Sequence, residues 1–144
     1  MRKRSGVILV VIGYIVFFFC MEGWGADWEF ILKDAQDNVW EIDTASISRQ
    51  PNNIMKVWLK ITYSKEAVNR RIKEYGEKKY KDLSYVQVLE EYNCTEKKQR
   101  SLTSTYYSSG RKVIRSFQSP GKWSSIDPES TGEAVFKEVC KESR

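Results

Sequence analysis

Ile54-Met55-Lys56-Val57-Trp58-Leu59-Lys60-Ile61-Thr62-Tyr63 is the stretch on which the fold turns. Met55, Val57, Leu59, Ile61 and Tyr63 recur at every second position. That period sends alternate side chains to opposite sides of a strand, so the odd-numbered residues face a core. Immediately afterwards the period changes. Val68, Ile72 and Tyr75 fall at i, i+4 and i+7 within residues 65–81, and charges fill most of the remaining positions. This spacing predicts a short amphipathic helix ending near Gly76.

Upstream, residues 28–32 and 39–43 are rich in aromatic and β-branched types, and the polar residues 34–38 between them form turns readily. They read as a β-hairpin. Residues 44–53, with Ser46, Ser48 and Pro51, read as a connecting stretch. Downstream, strands over 84–94, 100–107 and 113–118 are separated by turns at 95–99 and 108–111, which makes a meander. Pro128, Glu129, Ser130 and Glu133 announce a last helix with a capping box between Ser130 and Glu133. Gly132, Val135, Phe136, Val139 and Cys140 share one face of it. The fold class is therefore α+β: an antiparallel sheet of about six strands, packed by a C-terminal helix, with one shorter amphipathic helix.

The N-terminus has a different composition. Arg2, Lys3 and Arg4 precede an uncharged, largely apolar run from Ser5 to Met21, the pattern of an export signal. The apolar stretch is short for a membrane span of about 20 residues, and Gly23 and Gly25 have the spacing of a cleavage site. Residues 1–25 are thus expected to be removed after Gly25, with no transmembrane segment left, and residues 26–144 to form one domain. Cleavage takes basic residues from 24 to 21 and acids from 19 to 18, so the charge of +5 drops to +3. Cys20 would leave with the signal. Lipidation at Cys20 is the weaker alternative, because Phe17, Phe18 and Phe19 stand where such sites take small residues.

Two cysteines remain, Cys94 and Cys140, in a compartment that favours oxidation, and they permit one intramolecular disulfide. No histidine occurs in the chain, which removes the commonest general base and metal ligand. No glycine-rich phosphate loop is present, and no catalytic residue, metal site or cofactor is expected. Glu90, Glu91 and Asp82 are the acids to consider for glycoside chemistry. Glu90 and Glu91 are adjacent on a strand and point to opposite faces, so solvated charges explain them better. Asp43 reads as a turn-forming aspartate.

Trp28, Trp40, Glu41, Ile42, Asp43, Ser46, Ile47, Val57, Trp58, Asn93, Cys94, Tyr107, Gly110, Pro128, Gly132, Val139 and Cys140 occur in an order that resembles the surface-adhesin protein E-like family. The resemblance spans nearly all of the expected domain. It implies an antiparallel sheet covered by helix, export to the cell envelope, and membership of a family named for an adhesin of host extracellular-matrix proteins, with neither enzyme activity nor cofactor. The founding adhesin is a surface lipoprotein, and the residues before Cys20 depart from that pattern.

Two features are candidates for binding. Lys65, Arg70, Arg71, Lys73, Lys78, Lys79 and Lys81 stand against Glu66, Glu74 and Glu77, so residues 65–81 alone carry +4. Such a segment suits polyanions such as lipopolysaccharide phosphates, sulfated glycans or acidic proteins. An ordinary solvated helix face, with pairs such as Glu66 and Arg70, is the competing reading. Among the five tryptophans, Trp28, Trp40 and Trp58 lie on expected strands, and Trp123, after Pro120 and Gly121, is the candidate for an exposed contact. The expected function is a non-catalytic binding module of the bacterial envelope or surface, adhesin-like, with a protein or polyanion as partner and no nucleic acid. A periplasmic accessory or inhibitor of other envelope proteins is the alternative.

Overall fold

The computed structural model describes residues 25–76, 78–118 and 120–141. Residues 1–24, which include Cys20, Trp24 and nearly all of the expected signal segment, lie outside the described residues. The hairpin is formed by β1 (Trp28–Lys33) and β2 (Val39–Asp43), followed by β3 (Ser48–Gln50), β4 (Ile54–Thr62) and helix α1 (Lys65–Tyr75). The meander is β5 (Leu83–Asn93), β6 (Lys98–Ser108) and β7 (Val113–Gln118), and the chain continues through β8 (Ser124–Ser125) to helix α2 (Thr131–Lys141).

Every pairing is antiparallel. The sheet runs β1-β2-β4-β5-β6-β7, with β3 beside β4 and β8 beside β6. The six long strands are those expected from the sequence. The two short ones fall where it suggested only connections, because two or three residues are too few to show alternation. They exist through pairing with longer neighbours, Arg49 opposite Met55 and Ser124 opposite Gln99.

The odd face of β4 is the core. Met55, Val57 and Leu59 are almost wholly buried, together with Ile42 of β2 and Val86, Val88 and Tyr92 of β5. α2 closes this core with Val135 and Val139, and Phe136 lies beside Tyr92 at 6.4 Å between ring centroids. Cys140, in the last turn of α2, is bonded to Cys94, which follows β5, with their Cα atoms 5.8 Å apart. Gly132 allows the helix to approach the sheet, since a Cβ there would come within 3.1 Å of Gln99 Oε1. Capping differs in one detail from the sequence expectation. Ser130 Oγ does accept the Glu133 N–H, but the Glu133 carboxylate takes the N–H of Glu129, one residue earlier than Ser130. That hydrogen bond, with Lys137 nearby, holds the Glu133 carboxyl below its ordinary pKa.

α1 lies on the same face of the sheet. Val68 packs with Tyr80 and Leu83 into a second, smaller core, and Ile72 adjoins it. Tyr63 and Tyr106 touch both cores and join them. The helix begins at Ser64, whose Oγ accepts the Ala67 N–H, and ends at Gly76, whose φ of 64° is left-handed. The stop at Gly76 is where the sequence placed it, and the Ser64 cap is of the usual serine type. The side chain of Tyr75, expected on the apolar stripe, lies outside what the structure describes.

Two stability predictions follow from this packing. Val139→Asp places an unpaired charge in the main core and should cost on the order of 3–5 kcal/mol, read as a large drop in thermal midpoint. Cys140→Ser releases a crosslink across 46 residues and should cost roughly 3–4 kcal/mol in the chain-entropy model. Melts of either variant that match the parent would contradict the position given to α2.

Candidate functional site

The turn between β1 and β2 decides where α1 lies. Asp34 Oδ1 accepts the backbone N–H groups of Gln36 and Asn38, at 2.9 and 3.0 Å. Its Oδ2 accepts Asn38 Nδ2 at 3.0 Å and Trp40 Nε1 at 2.9 Å. Burial opposes ionisation of this carboxyl, but the four donors outweigh it and hold the pKa below the ordinary aspartate value. Asn38, only 5% exposed, then reaches the helix, where its Oδ1 accepts the Ser64 N–H at 3.0 Å. Ser64 completes the joint, its hydroxyl donating to the Gln36 carbonyl at 2.7 Å. The residue that caps α1 is thus held by the hairpin turn.

From this joint α1 presents Ala67, Arg70, Arg71 and Glu74, at i, i+3, i+4 and i+7, to a cleft of about 390 Å³. Trp40, Ile61 and Tyr63 line it from the sheet, and Gln36 and Asn38 from the turn. Arg71 is half-buried, its guanidinium 5.1 Å from the Tyr63 ring centroid and 5.7 Å from that of Tyr106. Burial pushes the Tyr63 hydroxyl up to about 12, against the opposing pull of Arg71. Arg70 is exposed, and the ion pair its spacing from Glu66 allows is not formed.

The candidate residues therefore separate. Arg70 and Arg71 come together at the cleft. Lys73 is exposed on α1, and Lys78 is exposed in the 3-10 turn Lys78–Asp82 that follows. The side chain of Lys79 lies outside what the structure describes. Trp123 is elsewhere: it is half-buried, with the Arg100 guanidinium 4.5 Å above its ring. Arg100 is in turn paired with Glu91 on the face of the sheet opposite the helices.

Glu90 and Glu91 do point to opposite faces. Glu90 accepts the hydroxyls of Tyr92 at 2.6 Å and Ser101 at 3.0 Å. Asp43 does not close a turn of its own as the sequence suggested: its Oδ1 accepts the N–H of Asp27, 16 residues earlier, tying the start of β1 to the end of β2. Ser46 bridges the Asp43 carbonyl to the N–H of Trp58. Among the described residues no group of three or more His, Cys, Asp or Glu is placed to hold a metal ion. No described helix is long and apolar enough to cross a membrane.

Sequence reasoning found the arginines but not their setting. Trp40 and Tyr63 read only as core residues, and Gln36 only as part of a turn. Their convergence depends on a turn some 30 residues away from the arginines, and no local pattern encodes it.

Residues 28–141 match the family model described as surface-adhesin protein E. The fold is similar to that of Haemophilus influenzae protein E in two solved structures. For crystal form II the TM-score is 0.54 at 15% identity, covering 80% of this chain and 87% of that one. For the selenomethionine form it is 0.56 at 15% identity, covering 79% and 85%. No curated protein matches the chain.

The joint at Asp34 has a pH signature. Its folded pKa is depressed, so its contribution to stability is present above the unfolded value of about 3.9 and is lost as pH falls through the folded pKa. Asp34→Ala should melt below the parent at pH 7, and the gap should narrow below about pH 4. A gap that is independent of pH would remove the charge from this account.

Proposed function

The chain belongs to the surface-adhesin protein E family, and from that premise we propose that it is an exported, non-catalytic binding protein of the bacterial envelope whose basic segment, residues 65–81, contacts anionic ligands. The domain is residues 26–144, released by cleavage after Gly25, and its working location is the cell surface. Processing at Cys20 with lipidation is the alternative to cleavage after Gly25, and would leave the domain tethered through residues 20–25.

The observation that carries the binding surface is the state of α1. Its apolar stripe is used up against the second core, while Arg70 makes no pair with Glu66 and Arg71 lies along the same cleft. An ordinary solvated helix face would pair Arg70 with Glu66 along its own surface. Here Arg70 and Arg71 line the cleft together, and Lys73 and Lys78 extend the positive surface outside it. Trp123 is a second contact point on the other face of the sheet, where its ring already accepts one guanidinium.

Exposed charges attract over a range screened to about 10 Å at 0.1 M salt, so ionic strength probes this surface directly. The parent should be retained on heparin and lipopolysaccharide at low salt and released as salt rises. A folded Arg70→Gln, Arg71→Gln, Lys78→Gln, Lys79→Gln variant should elute earlier on both. Equal retention would rule out the segment as the contact and leave Trp123. Protease shaving of intact cells, set against release by osmotic shock, tests the location: release by shock alone would favour the periplasmic accessory or inhibitor role.

A further inference from the structure

The cleft beside α1 offers more than positive charge. Resting on the anionic-ligand reading above, we propose that it is a subsite for one sugar ring carrying a carboxylate or sulfate within an anionic saccharide, its charged group held by Arg70 and Arg71 and its ring seated against Trp40 and Tyr63.

Several features of the cleft favour this occupant. At about 390 Å³ it is in the size range of small-molecule sites, roughly 300–1,000 Å³. It is open on one side, so a longer saccharide can leave it. A guanidinium offers a planar fork of donors that matches a carboxylate or sulfate. Arg71 is already held over the rings of Tyr63 and Tyr106, so little of its freedom remains to be lost on binding. Trp40 has its indole N–H committed to Asp34, which fixes the ring and leaves its apolar surface for contact. Tyr63 keeps its proton throughout the physiological range and can donate to a sugar oxygen. Gln36, exposed at the rim, adds an amide suited to hydroxyl groups.

A peptide fits less well. The floor of the cleft is the interior of a paired sheet, with Trp40 opposite Ile61, and so presents no free strand edge to an extended main chain. Glu74 is an acid among the lining residues. It opposes an anionic ligand, and this gives the test a direction that simple damage to the fold would not produce.

The test is calorimetric titration of the protein with a sulfated, uronate-containing heparin disaccharide and, separately, with neutral cellobiose. The disaccharide should bind and cellobiose should be at least about tenfold weaker, as expected when charged hydrogen bonds are absent. Arg70→Gln should weaken the disaccharide roughly tenfold, and Glu74→Gln should tighten it. Both residues are exposed, so melts should match the parent. Lys97→Gln, in the turn between β5 and β6, should change nothing. Equal affinity for the two sugars, insensitivity to Arg70→Gln, or equally tight binding of a hexaglutamate peptide would each overturn the proposal. Salt-dependent retention on full-length heparin with no disaccharide binding would sink the subsite and leave the broader surface reading standing. Disaccharide binding without retention on long heparin would do the reverse.

Discussion

One apolar face on a single long strand governs the rest of the molecule. Met55, Val57 and Leu59 on β4 must be covered, and among the described residues no second sheet packs against the one that contains them. An antiparallel sheet with one solvated face meets this demand with helices on the other. Each of the two described α-helices has eleven residues, too few to cover the face alone, so they divide it. α2 covers the strands near Tyr92 and is tied down by the disulfide. α1 covers the region near Tyr106 and Leu83.

That division creates the cleft. α1 is positioned less by its own sequence than by the polar joint of Asp34, Asn38 and Ser64, which fixes its first turn beside the hairpin. Its narrow apolar stripe then turns the next stripe, with Arg70 and Arg71, over Trp40 and Tyr63. A site formed at the margin of a core in this way has rigid walls, because its aromatic residues are also packing residues. Arg71 shows the coupling most directly: the two tyrosines beneath it are the ones that link the two cores.

The helix-free face handles its aromatic residues differently. Lys60 lies 4.6 Å over the Trp28 ring and is paired with Glu41, while Arg100 lies over Trp123 and is paired with Glu91. Tyr85 and Tyr107 stack across neighbouring strands at 4.9 Å. Cations over indole rings cover apolar surface without a second layer of structure, and their stems add to the cover. Phe30 and Val113, on the two edge strands, remain largely exposed.

The sequence alone determined what depends on neighbours in the chain. The six long strands, the span of α1, its glycine stop and the buried stripe of α2 were all legible because side-chain period and capping residues act within a few positions. The cysteine pair was legible once Cys20 was assigned to the expected export signal, because Cys94 and Cys140 then had only each other. The arginines of α1 could be named as binding candidates from charge count. Only the tertiary structure decided that Arg70 and Arg71 face a cleft, that Trp40 and Tyr63 line it, that Trp123 belongs to the opposite face, and that β3 and β8 exist. Each of these depends on contacts between residues far apart in the chain. Such contacts come from the packing of a sheet with its helices and leave no periodic trace in the segments that make them.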